Sequence, residues 1–289
     1  MKPAPFDYHA PTTVDEATGL LGALGDQAKV LAGGQSLVPM LNLRLTRFEA
    51  LVDVRRIASL QRMERTDGEV TLGAMVRQCD IEESPEIAGA VPLLAAATPL
   101  IGHFQIRSRG TVGGSIAHAD PAAEYPAVAV ALDAELEIAR AGSTRRVPAA
   151  DFFVGMWTPA LEADELLVAS RFPIWGAGSG FAVEEVARRH GDFAIAGACV
   201  GVRVAGGSID KAAIALFGMG STPLRAVTAE KTLVGIQTAD VDAVEVGRLA
   251  VVDLAPPEDL HASAELRRRI GATVVARAVG RAIEEAEGA

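Results

Sequence analysis

Gln105-Ile106-Arg107-Ser108-Arg109-Gly110-Thr111-Val112-Gly113-Gly114-Ser115-Ile116-Ala117-His118-Ala119-Asp120-Pro121-Ala122-Ala123-Glu124-Tyr125-Pro126 is the densest run of functional chemistry in the 289 residues. Gly110, Gly113 and Gly114 bare the backbone, and Thr111 and Ser115 add hydroxyls. Asp120 and Glu124 are carboxylates four positions apart where a helix begins, suited to accept hydrogen bonds from ribose or ribityl hydroxyls. Each also has an ordinary role: Asp120 as a helix N-cap, and Glu124 as a first-turn acid facing the helix dipole.

A second stretch, Val30-Leu31-Ala32-Gly33-Gly34-Gln35-Ser36-Leu37, runs a short apolar strand into paired glycines. Consecutive N–H groups without side chains in the way form a concavity that binds anions, a diphosphate included. Gln35 and Ser36 can add side-chain hydrogen bonds. No Gly-Lys-Ser/Thr follows, and the third glycine of the dinucleotide-fold fingerprint is missing. Taken alone, the stretch reads as a turn.

Outward from these stretches the expected organisation is α+β. Val14 to Leu24 reads as a helix capped by Thr12 or Thr13, and Lys29 to Ala32 and Ala50 to Val54 read as strands. Between them, Leu37 to Leu43 is apolar and broken by a proline. This β-α-β-β order makes residues 1–55 a small first lobe. In a second lobe, 56–175, Val70 to Ala74 reads as a strand, Val76 to Ile81 as a helix start and Ile87 to Thr98 as a helix. Tyr125 to Leu132 reads as a short apolar helix, Glu135 to Ala139 as a half-exposed strand, and Leu166 to Pro173 as a closing edge strand. Trp175 to Gly180 reads as a linker. Residues 179–289 then suggest a three-stranded antiparallel sheet plus helices, the last from about Ser263 to Glu285.

Composition removes several function classes. The formal net charge of −10 disfavours nucleic acid and anionic membranes as partners. No apolar run approaches the ~20 residues that span a bilayer, and no signal-peptide pattern opens the chain, so a cytoplasmic location is expected. Two cysteines, Cys79 and Cys199, are too few for an iron–sulfur cluster. The five histidines show no metal-ligand spacing, so no metal site is expected.

Two glycine segments in this order, with acids behind the second, change the reading of each. The chain strongly resembles the flavin-binding subunits of the molybdenum hydroxylases: the medium subunits of carbon monoxide dehydrogenases and the flavin domains of xanthine dehydrogenases. The resemblance runs over Leu31 to Pro39, Gln105 to Arg107, Gly110 to Ala117, Asp120 to Glu124 and Leu161 to Leu167. It implies a two-lobe flavin fold, of the kind shared with vanillyl-alcohol oxidase, with FAD as cofactor. Ala32, Gly33, Gly34, Gln35 and Ser36, with Thr111, Val112, Gly113, Gly114 and Ser115, would hold the pyrophosphate and nearby ribose, and Leu37 is a further cofactor-binding candidate. Glu124 would approach the polyol, with Asp120 a further cofactor-binding candidate, Leu167 would pack on the adenine, and Asp192 or Phe193 would face the isoalloxazine ring. Gln35, Ser108 and Ser115 depart from residues common in the family but keep hydrogen-bonding capacity.

The resemblance also implies an electron-transfer subunit that passes electrons from iron–sulfur clusters to an external acceptor. Its partners would be an iron–sulfur small subunit and a molybdopterin large subunit, as a dimer of heterotrimers. No general acid or base is nominated, because the flavin carries the redox chemistry. The competing reading is a stand-alone FAD-dependent oxidase or reductase of the same two-lobe fold.

Overall fold

The computed structural model describes residues 2–288. In chain order, β1 (Asp7–His9), α1 (Val14–Leu24), β2 (Ala28–Leu31), α2 (Leu37–Asn42) and β3 (Ala50–Asp53) form the first lobe. Its three strands are parallel in the order β1-β3-β2. Thr13 caps α1 by accepting from the Glu16 N–H at 3.1 Å. Parallel pairing requires crossovers, and α1 and α2 supply them. The proline-broken stretch is therefore a short helix, because Pro39 lies in the first turn, where its missing N–H costs nothing.

The second lobe contains β4 (Met63–Arg65), β5 (Glu69–Gly73), α3 (Gln78–Glu82), α4 (Pro85–Ala90), α5 (Pro92–Ala97), α6 (Phe104–Arg107), α7 (Val112–His118) and α8 (Glu124–Ala131). It continues with β6 (Glu135–Arg140), β7 (Ser143–Pro148), α9 (Ala149–Phe152), β8 (Phe153–Gly155), β9 (Thr158–Pro159) and β10 (Leu166–Pro173). Two sequence expectations are corrected. The single helix expected over Ile87 to Thr98 is two helices, because Pro92 leaves Val91 in a non-helical conformation. Leu166 to Pro173 is the middle strand of the sheet β4-β5-β10-β6-β7, not its edge. Its burial on both faces fits a central strand.

The C-terminal part has β11 (Ser179–Val186), β12 (Ala196–Ala205), β13 (Ser208–Phe217), β14 (Leu224–Arg225), α10 (Val227–Leu233), α11 (Ala243–Val251) and α12 (Ala264–Gly288). The expected three antiparallel strands are joined by β14, so the sheet has four. A two-residue strand leaves almost no periodicity to read. One face of this sheet, with Val183, Cys199, Ala213, Ala215 and Phe217, shares a core with α5 and α8 of the second lobe. The other face lies under α12, whose Val274, Val275, Ala278, Val279 and Ala282 are all at most 1% exposed.

That second packing is close. A Cβ built on Gly180 would lie 2.0 Å from the Ala282 carbonyl oxygen and 2.4 Å from the Ala286 nitrogen, both backbone atoms of α12. Gly180→Ala is expected to destabilise the protein by ~1–3 kcal/mol through overpacking. Gly280→Ala on the same helix meets nothing within 4 Å and should be neutral or stabilising by up to ~1 kcal/mol. Paired denaturant melts check the contrast; equal midpoints for the two variants would contradict this packing.

Candidate functional site

The site begins where β2 ends. Beyond Leu31 the chain turns through Ala32 to Ser36, with Gly34 left-handed at φ +75°. A Cβ on Gly33 would fall 2.3 Å from the Arg109 carbonyl oxygen and 2.9 Å from the Gly110 Cα. A Cβ on Gly114 would fall 3.3 Å from the Ala32 Cβ. The two glycine segments, distant in sequence, therefore touch backbone to backbone.

They differ in what they leave free. The second is the start of α7 rather than a loop. Thr111 caps it by accepting from the Gly114 N–H at 3.0 Å. The N–H groups of Val112 and Gly113 donate to the Val76 and Ala74 carbonyls at 2.9 and 3.0 Å. Gly113 needs its missing side chain there, since a Cβ would sit 2.4 Å from that of Ala74. By contrast, no protein acceptor takes the N–H groups of Gly33, Gly34, Gln35 or Ser36 among the described residues. These donors border a cleft of about 310 Å³ lined by Leu31 to Gln35, Val38, Pro39, Arg55 and Arg109. Free N–H groups beside two arginines suit a diphosphate. A wider depression of about 620 Å³ lies along Tyr8 to Pro11 and Glu16 to Ala23. Its lining holds Glu16 and no Lys or Arg, which makes it unsuited to phosphate.

Past α7, Asp120 accepts from the Ala122 N–H at 2.9 Å and from the Trp157 indole at 3.2 Å. The Trp157 N–H donates to the Ala119 carbonyl at 3.0 Å, and both residues are left-handed, with φ of +54° and +53°. The Trp157 ring stacks on His118, with centroids 6.5 Å apart. The Arg267 guanidinium on α12 donates to the Gly218 carbonyl at 3.0 Å, and the Gly218 N–H donates to the Pro121 carbonyl at 2.8 Å. The C-terminal helix thus steadies the turn that carries Asp120.

Glu124 opens α8 and is only 7% exposed, with no cation paired to it. Burial, assisted by the nearby charges of Glu185 and Asp120, pushes its carboxyl up to about 8. Burial also pushes Glu185 on β11 up to about 7, and its Oε2 has no hydrogen-bond partner. Leu167 is buried in the core of the second lobe. Asp192 is paired with Arg189 at 3.1 Å, and the Phe193 ring is 68% exposed. Their loop rests on the second lobe through Gly191, where a Cβ would meet the Gly102 carbonyl at 2.9 Å.

Comparison with known proteins decides among the readings of this geometry. Residues 4–175 match the FAD binding domain in molybdopterin dehydrogenase, and residues 181–282 match the CO dehydrogenase flavoprotein C-terminal domain. The chain is 39% identical to the 6-hydroxypseudooxynicotine dehydrogenase complex subunit alpha of Paenarthrobacter nicotinovorans, over 99% of this chain and 97% of that one. It is 38% identical to the carbon monoxide dehydrogenase medium chain of Hydrogenophaga pseudoflava, over 98% of each. A solved carbon monoxide dehydrogenase from that organism superposes with a TM-score of 0.96 at 39% identity, over 99% of both chains.

The chain belongs to the FAD-binding medium subunits of the molybdopterin dehydrogenases. Its cofactor is FAD, and the residues present fit that group. The cleft offers unpaired N–H groups and arginines, and Glu124 is a buried carboxyl with no cation paired to it. Four residues that the sequence did not point to lie beside the candidate residues: Arg55 and Arg109 line the cleft, and Trp157 and His118 stack next to Asp120. Arg109 adjoins Gly110 and could have been weighed with it. Nothing local in the sequence marks Arg55 or Trp157.

Glu124 gives a pH prediction for the flavin-free subunit. Both raised carboxyls hold protons in the fold that the unfolded chain releases from about its ordinary value of 4.5 upward. Stability should therefore be highest at low pH within this window and fall as pH rises to about 8. Glu124→Gln should flatten that slope and be the more stable protein at the alkaline end. Denaturant midpoints across about pH 5 to 8 test it; an unchanged slope in the variant would contradict the assignment.

Proposed function

We propose that this medium subunit is the electron-transfer station of a multi-subunit molybdenum hydroxylase. It would take electrons from iron–sulfur clusters on a small subunit and hand them to an external acceptor. A molybdopterin large subunit would oxidise the substrate, and the assembly would be a dimer of heterotrimers. The observation that carries the reading is the near-complete, end-to-end match to carbon monoxide dehydrogenase medium chains. It is supported by a chain with only two cysteines, one of them buried in the C-terminal sheet. Related subunits carry names for carbon monoxide and for 6-hydroxypseudooxynicotine, which supports a reading in which another chain chooses the substrate.

Within the subunit, bound FAD supplies reversible two-electron chemistry. The protein's own contribution is binding and orientation. Ala32 to Leu37 would cradle the diphosphate with N–H donors, and Thr111 to Ser115 would form the wall that lets the backbone approach it. Asp120 and Glu124 would accept from polyol hydroxyls, Leu167 would lie toward the adenine, and Asp192 and Phe193 toward the ring.

Purified protein should show flavin absorbance and recover with iron- and molybdenum-containing partners from its native host. Gly34→Val introduces a branched side chain at φ +75° beside Val38 and Leu31, and Gly114→Val drives one toward Thr111 and Ala32. Both variants should fold and lose flavin. Stoichiometric flavin in both would show that the glycine segments are misassigned. A single polypeptide that oxidises a substrate unaided would replace the subunit reading with a stand-alone flavin enzyme.

A further inference from the structure

Asp53, the last residue of β3, is 1% exposed yet carries a carboxylate. Three groups converge on it. The Tyr8 hydroxyl on β1 donates to Oδ2 at 2.5 Å. The Arg55 guanidinium donates through Nε to Oδ1 and Oδ2 at 3.1 and 2.9 Å, and through Nη2 to Oδ2 at 2.7 Å. The Arg55 N–H donates to Oδ1 at 3.0 Å. Burial alone would raise the Asp53 carboxyl, but the hydrogen bonds from Arg55 and Tyr8 outweigh it and hold the group ionised.

The arrangement is more than a surface ion pair. A guanidinium has five N–H donors in a planar fork, and Asp53 occupies only the Nε/Nη2 edge. No partner takes Nη1 among the described residues. Arg55 also lines the cleft that Gly33, Gly34 and Gln35 line, together with Arg109. Tyr8 reaches the network from a different strand, so two elements fix the side chain before any ligand arrives. Pre-paid ordering of this kind strengthens binding because less rotamer entropy is lost on association.

We propose that Arg55, aimed by the Asp53–Tyr8 clamp, is a binding residue for the cofactor's diphosphate and sets the subunit's preference for the dinucleotide over flavins without phosphate. This rests on the flavin reading above. Arg55 is the binding residue; Asp53 and Tyr8 are positioning residues.

The test titrates FAD and riboflavin into flavin-free full-length protein by fluorescence quenching. Arg55→Gln should weaken FAD binding roughly tenfold to a hundredfold, the range of a lost charge-assisted hydrogen bond, and leave riboflavin binding within about twofold. Arg55→Lys should recover part of the loss, because it keeps the charge without the fork. Tyr8→Phe should weaken FAD by a few-fold while Arg55 remains. Arg55→Gln leaves the buried Asp53 carboxylate without its cation and should lower the melting temperature of the flavin-free protein, so titrations are run well below each variant's melting transition, and the riboflavin arm separates a binding defect from a folding one. Arg55→Gln with FAD affinity within twofold of wild type, or an equal loss for FAD and riboflavin, overturns the proposal while the flavin reading stands. Wild-type protein that binds no FAD overturns both.

Discussion

The site depends on one steric constraint: Gly33 lies so close to the Arg109 carbonyl that no side chain fits between them. A turn at the end of a parallel strand and the start of a helix in the other lobe can share a cleft only if their backbones touch. Glycine on both sides permits this, at an entropic cost of roughly 0.5–1 kcal/mol per position. The contact also explains a division of labour. The helix start satisfies its own first N–H groups against Ala74, Val76 and Thr111, so it is a rigid wall. The turn after β2 keeps its N–H groups free and faces the cleft. One segment supplies shape and the other supplies donors.

The C-terminal sheet extends this logic. One of its faces completes the core of the second lobe, and the other is covered by α12. Arg267 reaches from that helix through Gly218 to Pro121, so the turn bearing Asp120 is braced by an element more than a hundred residues downstream in the chain. A site of this kind tolerates little slack, because a shift of about 1 Å in a positioning group can cost a hundredfold in rate.

How much of this was legible in the sequence follows from how local each cause is. Gly34 was legible because its reason is local, a positive φ, whereas the atoms that leave no room for a Cβ at Gly33 and Gly113, the Arg109 carbonyl and Ala74, lie far along the chain, and only the repeated glycine pairs marked those positions. The α12 stripe was legible for a local reason too, since Val274, Ala278 and Val275, Val279 repeat within one helix. Strand order was not. Leu166 to Pro173 closes its lobe in sequence but inserts at the sheet's centre, because pairing with β5 and β6 is decided by distant residues. Arg55 was hidden as well: an arginine after a strand is usually a solvated charge, and what holds this one is an Asp53 buried at the end of β3 and bonded also by Tyr8, 45 positions from it. Trp157 is a bulky residue at φ +54°, a conformation that propensity argues against and that its bonds to Ala119 and Asp120 sustain.

The buried acids complete the physical argument. A carboxyl group taken out of water without a cation or a donor is costly, and a fold under selection for stability alone would not retain one. Glu124 has no cation and only its own backbone N–H to answer it, with Glu185 near enough to raise it further. Phosphate-facing cations and hydroxyl-facing acids are opposite requirements, and this chain separates them. Arg55 and Arg109 stand at the cleft after β2, and Glu124 stands at the start of α8. A ligand that carries a diphosphate at one point and a polyol at another satisfies both at once. Burial and the neighbouring acids favour the protonated form of Glu124, and under the proposed role a polyol hydroxyl would give this buried carboxyl a hydrogen-bond partner.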